Sequence, residues 1–459
     1  MCKFKIKFLI NRLFLKTKVF FLYICFHKND QYMTNSEIDC IVSLIRKEVV
    51  PAIGCTEPIA VALCVAKAKD LLGSEPNKVE VFLSANMLKN AMGVGIPGTT
   101  QIGLPIAVAL GVMIGDSTLG LEVLKNSNAE AVKQANAYME RAQIHIQLKK
   151  ECTNKLYIEV IASDDSNSSR VIIEENHTQF TYLSLNNKEI LNKRDKIKED
   201  VADVETELTM RKIYDFTRLV DFKDIEFILE SGRLNRAAAV SSLEQNYGHS
   251  LGRMLLSGNA SQIMGEGLYS KALSYTSAAC DARMAGAMIP VMSNSGSGNQ
   301  GISATLPVVV YAEETNKSEE ELARALVMSH LTAIYIKQSL GRLSALCGCV
   351  VAATGSSCGI TLLMGGGYKE VSYAVQNMVA NITGMICDGA KPSCSLKVAT
   401  GVSTALLSAM MAIEGKTVTA VEGIIDKDVD QSIRNLTKIG SQGMNETDAL
   451  VLDIMTNKC

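Results

Sequence analysis

The sequence predicts an α+β protein: a smaller helix-and-antiparallel-sheet domain at 33–200 and a larger all-α domain at 201–459. Three observations carry this. Within 144–190 four short segments, IHIQLKK, KLYIEVIAS, SRVIIEE and TQFTYLSL, alternate and are rich in Ile, Val, Thr and Tyr, the pattern of strands. On either side of them apolar residues recur at helical spacing. Trp is absent and aromatics make up 5% of the chain, while Ala, Gly, Met and Ser abound, which favours closely packed helices over an aromatic-rich sandwich.

At 459 residues, with 47% hydrophobic and 20% charged, the chain has the length of two or three domains and the means to bury a large core. Its net charge of −2 is unevenly spread. Residues 1–32 carry seven Lys or Arg and one acid, Asp30. Without them, 39 basic side chains face 47 acidic ones, a net of −8 that argues against a nucleic-acid partner. The 13 cysteines are odd in number and sit partly on apolar helical stretches, so they do not form a secreted disulfide framework. Reduced thiols in a cytoplasmic protein, some of them ligands or catalysts, are the expectation.

Residues 1–32 hold six of the 11 Phe, interleaved with Lys and Arg. The charges interrupt the apolar stretch and no small-residue cleavage site follows it, so it fails as a signal peptide. Its eight-residue apolar run VFFLYICF is too short to span a bilayer. It reads as translated upstream sequence outside the fold, with Met33 the working start; an interfacial amphipathic anchor is the alternative. From there Ser36-Glu-Ile-Asp39 resembles a helix start, followed by Ile38, Ile41, Val42, Ile45 and Val49 at helical spacing. After AIGCTEP comes a second helix, IAVALCVAKAKDLL, then a strand, KVEVFLS (78–84), and a Gly/Pro-punctuated polar loop at 86–105. Helix resumes at 106–143. The charged stretch 192–207 is a linker or exposed helix, and everything beyond it is helical. Two runs, 284–312 and 343–368, contain no charged side chain. Gly and Ser clusters break both, and neither has aromatic belts, so they are buried central helices rather than membrane spans.

Three constellations could do chemistry. Cys55 precedes a helix that Thr56 can cap and Pro58 can open, which sets its sulfur at the positive end of a helix dipole and favours thiolate; a small buried hydrophobe is the plainer alternative. Cys64, mid-helix, is core. Cys347, Cys349, Cys358, Cys387 and Cys394 lie near Gly-loosened junctions, with Lys391 between the last two. No C-x-x-C pair occurs, which argues against a zinc ribbon, and dispersed cysteines suit an iron–sulfur cluster, with Cys358 more simply core. SNSGSGNQGISATLP (293–307) frees backbone N–H groups at a helix start, an anion cradle for a carboxylate or the phosphate of PLP, or simply a flexible turn. The histidines at 27, 145, 177, 249 and 330 show no ligand spacing. No Ser-His-Asp arrangement, Walker loop or dinucleotide fingerprint is present.

Together GCTEPIAVAL, NMLKNAMGVGIPGT, CDARMAGAM, NSGSGNQGI, LGRLSALCGC and MICDGAKPSC closely resemble the L-cysteine desulfidase family, relatives of the α-chain of iron–sulfur L-serine dehydratases. The resemblance runs from Met33 nearly to the C-terminus. It implies a [4Fe–4S] cluster without PLP, held by Cys347, Cys387 and Cys394, with Cys349 an alternative to Cys347. It implies Cys55 as the catalytic base, an open iron acting as Lewis acid on the leaving sulfur, and L-cysteine split into sulfide, ammonia and pyruvate. The substrate carboxylate is expected on Ser295, Gly296, Asn299 and Gln300, helped by Asn86, Asn90 and Thr99. A homodimer without nucleic-acid or membrane partners is expected. Cys280 in CDARMAG, where a small residue is typical, departs from the pattern, and so does the N-terminal extension.

An L-serine dehydratase with the same cluster is the nearest rival, since thiol and hydroxyl differ by one atom. A PLP lyase would use Lys337 or Lys89 for the Schiff base. A non-catalytic iron–sulfur redox sensor would leave Cys55 without a role, and a membrane protein built on the uncharged runs ranks last.

Overall fold

The computed structural model describes residues 33–194, 206–341 and 344–458; the basic extension and most of the charged linker lie outside the described residues. The chain divides into two compact units, Met1–Cys40 and Ile41–Cys459. What is described of the first is the opening of helix α1, Asn35–Glu48. Its start is set by Thr34, two residues earlier than Ser36. The Thr34 hydroxyl accepts from Glu37 N at 3.2 Å, while the Glu37 carboxylate accepts from Thr34 N at 3.0 Å, a reciprocal cap.

The second unit is α+β. Its first half contains β1 (Pro51–Ile53), α2 (Thr56–Leu72), β2 (Lys78–Leu83), α3 (Ala85–Ala91), α4 (Leu104–Met113), α5 (Ala129–Arg141) and β3 to β7 (Gln143–Leu148, Tyr157–Ser163, Ser168–Glu174, Phe180–Leu185 and Lys188–Asn192). The six-stranded sheet runs in the order β3-β2-β4-β5-β6-β7. This corrects two expectations. IHIQLKK does not open the meander: β2 inserts between β3 and β4, pairing with β3 in parallel and with β4 antiparallel. The polar loop expected from residue 86 begins as helix α3. The inner face of the sheet places Val79, Val81, Ile158, Val160 and Val171 against α2 and α4, burying them completely.

The second half is a helical assembly. Its elements are α6 (Met210–Leu219), α7 (Phe222–Ile225), α8 (Leu229–Glu244), α9 (Leu251–Leu255), α10 (Gly258–Met264), α11 (Leu268–Met284), the short strand β8 (Pro290–Met292), α12 (Gly298–Glu314), α13 (Glu319–Leu340), α14 (Gly348–Leu363), α15 (Tyr368–Ile382), α16 (Cys394–Ile413), α17 (Val429–Lys438) and α18 (Asn445–Thr456). Uncharged α14 is the centre, packed on α12, α13, α15 and α16. It crosses α13 so closely that a Cβ on Gly355 would stand 2.2 Å from the Ser329 carbonyl oxygen and one on Gly359 2.6 Å from that of Ala325. The uncharged run 343–368 thus lies largely in a core helix, and 284–312 is divided between the end of α11, β8 and α12. One described helix, Cys394–Ile413, is long and apolar enough to cross a membrane, and 50% of that stretch is buried.

One pairing was not legible as strand. β1 and β8 form an antiparallel ladder, Pro51 opposite Met292 and Ile53 opposite Pro290, so the region beyond residue 207 is not wholly helical. Both strands run directly into the segments that carry Cys55 and the Gly/Ser-rich loop. Under that loop lies His330, fully buried: Asn294 Nδ2 meets its Nδ1 at 3.0 Å and Thr305 Oγ1 its Nε2 at 3.1 Å. Burial pushes this imidazole from 6.5 down to about 3. The folded protein therefore takes up no proton here between those values while the unfolded chain does, so stability is full above about pH 6.5 and is lost as the pH falls toward 3. The contribution is up to ~1.4 kcal/mol per pH unit. Denaturant titrations of wild type and His330→Gln at pH 7 and pH 5 should show the gap between them narrowing at pH 5.

Candidate functional site

The site begins where β1 ends. Gly54 has φ +72°, and a Cβ there would lie 2.2 Å from Pro97 Cγ, so only glycine lets the chain turn into α2 against that proline. Cys55 is the N-cap residue of α2 but makes no side-chain cap. Nor does Thr56 cap the helix: its hydroxyl donates instead to the Gly296 carbonyl at 3.1 Å, tying α2 to the Gly/Ser-rich loop. The Cys55 thiol donates to Glu57 Oε2 at 2.9 Å, and Asn90 Nδ2, from α3, donates to Glu57 Oε1 at 3.3 Å.

The thiolate expected from the helix dipole is not what the structure holds. Burial, and then the Glu57 carboxylate, push the Cys55 thiol far above its ordinary range, with Arg283 pulling the other way. The terminal dipole is a modest effect; desolvation of a buried thiol beside a carboxylate outweighs it. Cys55 is a protonated thiol with a proton acceptor already in place.

The Gly/Ser-rich loop turns through Ser295 (φ +49°) and Gly296 (φ +77°), and Ser297 caps α12 by accepting from Gln300 N at 3.4 Å. Against it lies Arg283, from the end of α11, 4% exposed. Its Nη1 donates to Asn299 Oδ1 at 3.1 Å, and its Nε has no partner among the described residues. Gln300 Nε2 donates to the Asn294 carbonyl at 3.2 Å, while its buried Oε1 also lacks a partner among them.

The cysteines complete the enclosure. A bridge between Leu346 and Ile386, with Cys347 N donating to Met385 O at 3.0 Å and Cys387 N to Ala345 O at 2.7 Å, brings two cysteine segments side by side. Cys347 stands at the N-cap position of α14 without a side-chain cap, and Cys394 opens α16 with its thiol 3.6 Å from the Gly389 carbonyl. Cys349 also faces the cavity. Its hydrogen bond with Cys347 holds the Cys347 thiol below the usual range and its own above it.

All of this surrounds one cavity of about 110 Å³. Cys55, Asn90, Ser295, Gly296, Asn299, Gln300, Cys347, Cys387 and Cys394 line it, as do Cys349, Glu57, Arg283, Lys337 and His177. Asn86 and Thr99 are not brought to it. Asn86 Nδ2 donates to Asp448 Oδ2 at 2.5 Å, and the Thr99 hydroxyl bonds its own turn at the Ile96 carbonyl, 2.8 Å. Of the two lysines considered for a Schiff base, Lys337 lines the cavity with its ammonium lowered by burial to about 8, whereas Lys89 is paired with Asp448. Cys64, Cys280 and Cys358 are fully buried and outside the lining. Glu57 and Arg283 were missed: both stand inside motifs read for other reasons, and the only signal was a charge within an apolar setting.

The helices α2, α12, α14 and α16 all present their N-termini to this cavity, through Cys55, Ser297, Cys347 and Cys394. Helix N-termini favour anions, so thiolates, a carboxylate or an anionic cluster are electrostatically suited to it. Among the described residues no three Cys, His, Asp or Glu gather closely enough for a single metal ion. The sulfurs of Cys347, Cys349, Cys387 and Cys394, spread around one enclosed volume, fit a larger group, as an iron–sulfur cluster requires.

A cysteine-rich cavity enclosed by helix N-termini defines the site, and comparison with known proteins supplies the family. The serine dehydratase alpha chain family matches residues 118–453, and the chain belongs to it. Arg283, the Gly/Ser-rich loop and the four cavity cysteines fall inside the match, while Cys55, Glu57 and Asn90 precede it. A UPF0597 protein of Bacteroides fragilis is 66% identical over 426 residues, covering 93% of this chain and 100% of the relative. UPF0597 proteins of Porphyromonas gingivalis (53% over 432 residues, 93% and 100%) and Oleidesulfovibrio alaskensis (44% over 427 residues, 93% and 100%) are similar along nearly their whole length.

Gly298 tests how tightly the cavity is built. A Cβ there would sit 2.1 Å from Arg283 Nε, so Gly298→Ala must displace the guanidinium. Calorimetry should show it destabilised by about 1–3 kcal/mol, the usual cost of overpacking.

Proposed function

We propose that this chain is an L-cysteine desulfidase, a carbon–sulfur lyase that eliminates sulfide from L-cysteine and yields ammonia and pyruvate. The observation that carries the reading is the buried Arg283, without a carboxylate partner among the described residues, on the same small cavity as the Cys55–Glu57 pair and four other cysteine sulfurs. A buried guanidinium without a carboxylate partner is costly unless a ligand supplies one.

Arg283 and the 295–300 loop at the N-terminus of α12 bind the substrate carboxylate. Cys347, Cys387 and Cys394 would hold a [4Fe–4S] cluster, which supplies Lewis-acid polarisation of the β-substituent when bound. The substrate ammonium beside the Cys55–Glu57 pair favours its ionised form, and the thiol proton passes from Sγ to Glu57 Oε2. The thiolate then takes the α-proton. Asn90 holds Glu57 in position. Elimination leaves aminoacrylate, which hydrolyses to pyruvate and ammonia. The second reading, an L-serine dehydratase, is favoured by the family match and uses the same residues.

The experiment is anaerobic turnover by cluster-reconstituted protein, following sulfide and pyruvate from L-cysteine with L-serine alongside. Equal sulfide and pyruvate, lost in air, is the expected result. Serine turnover with cysteine inert would transfer the site to the second reading; an intact cluster with neither reaction would favour the sensor. Cys55→Ala should lose about 10²- to 10⁴-fold in kcat with iron content unchanged, the range for removal of a general base. Arg283→Met should raise KM roughly 10- to 100-fold, as loss of a charge-assisted hydrogen bond does.

A further inference from the structure

Lys89 lies outside the cavity and outside the mechanism, yet it is 1% exposed and charged. Two groups hold it. Its ammonium pairs with the Asp448 carboxylate of α18, and it donates to the Cys387 carbonyl at 3.2 Å. Asn86, one turn earlier on α3, donates to the other Asp448 oxygen at 2.5 Å. The cysteine loop rests on the same helix. Gly389 has φ +89°, and a Cβ there would stand 2.1 Å from the Lys89 carbonyl oxygen. The Gly389 carbonyl in turn faces the Cys394 thiol at 3.6 Å. Asp388, the one acid of that loop, is occupied with Lys391 and Lys397 and does not compete for Lys89.

We infer that Lys89, held by Asp448, is a positioning residue that fixes the Cys387–Cys394 loop, so that the C-terminal helix α18 takes part in setting the site; this rests on the reading of these cysteines as cluster ligands. Asp448 neutralises the buried ammonium and aims it, and the ammonium pins the backbone of Cys387. A buried charge held from two sides keeps its geometry better than a neutral contact, because losing either partner leaves it uncompensated.

The test uses the full-length protein and two readouts. In cluster-free protein, peptide mapping follows alkylation of Cys387 by iodoacetamide, with Cys280 and Cys358 as buried controls. In reconstituted protein, the lifetime of the cluster absorbance is followed in air. Lys89→Met and Asp448→Asn should each raise Cys387 alkylation and shorten the cluster lifetime roughly tenfold, the size expected for a lost charge-assisted hydrogen bond. The paired variant Lys89→Met/Asp448→Leu carries no stranded charge and should recover thermal stability while Cys387 stays reactive. Recovery of Cys387 protection together with stability would overturn the inference, since Lys89 would then act by packing alone. If the wild type takes up no cluster, the proposed function fails, and the alkylation result still decides the role of Lys89.

Discussion

Four helices aim their N-termini at one buried volume, and much of the site is a response to that. An N-terminus leaves backbone N–H groups without intrahelical partners and concentrates partial positive charge. Converging four of them would be unfavourable unless the cavity holds negative charge. Glu57 faces it, and the cysteine sulfurs would add negative charge on holding a cluster as proposed. The β1–β8 ladder enforces the convergence. Three residue pairs suffice to lock the entry of α2 against the entry of α12. Ser293 Oγ donating to Val50 O at 2.6 Å and Ser295 N to Glu48 O at 2.9 Å continue the connection past the strands.

The same enclosure sets the chemistry of Cys55. A thiol at an exposed helix N-terminus ionises readily; this one is buried beside a carboxylate and does not. It is held as an acid with its proton directed at Glu57, and under the proposed function it would become a base when the substrate ammonium enters. Arg283 works in the complementary sense, as a buried cation on the same cavity whose guanidinium is held by Asn299 and packed against Gly298.

How much was legible follows from the distance over which each signal acts. The α+β class, the alternating strands and the buried uncharged helices follow from local periodicity. Gly54 and Gly298 were visible as glycines, but the proline and arginine that demand them lie 43 and 15 residues away. Strand order was not readable, because alternation specifies a face and not a neighbour, and so β2 could slip between two segments that look like a hairpin. Asn86 was assigned to substrate on its place in a polar motif, while its partner Asp448 lies 362 residues further on. The thiolate expectation failed for a related reason: the helix terminus is local, whereas the burial that overrides it is assembled from the whole unit.

The meander adds a constraint that the helical half alone could not supply. The turn between β5 and β6 brings His177 to the cavity wall, although the histidines show no ligand spacing in the sequence. The sheet carrying this turn is anchored on α2, the helix whose N-cap residue is Cys55, through Val79, Val160 and Val171. Any shift of the sheet would therefore move His177 and α2 together, while the cysteine loops follow α3 through Lys89 and the Gly389 contact. The two walls of the cavity are hinged on consecutive helices of the same half of the chain. Its geometry is then set by how α2 and α3 pack on one sheet, which explains why a site formed chiefly from the helical half needs the sheet at all.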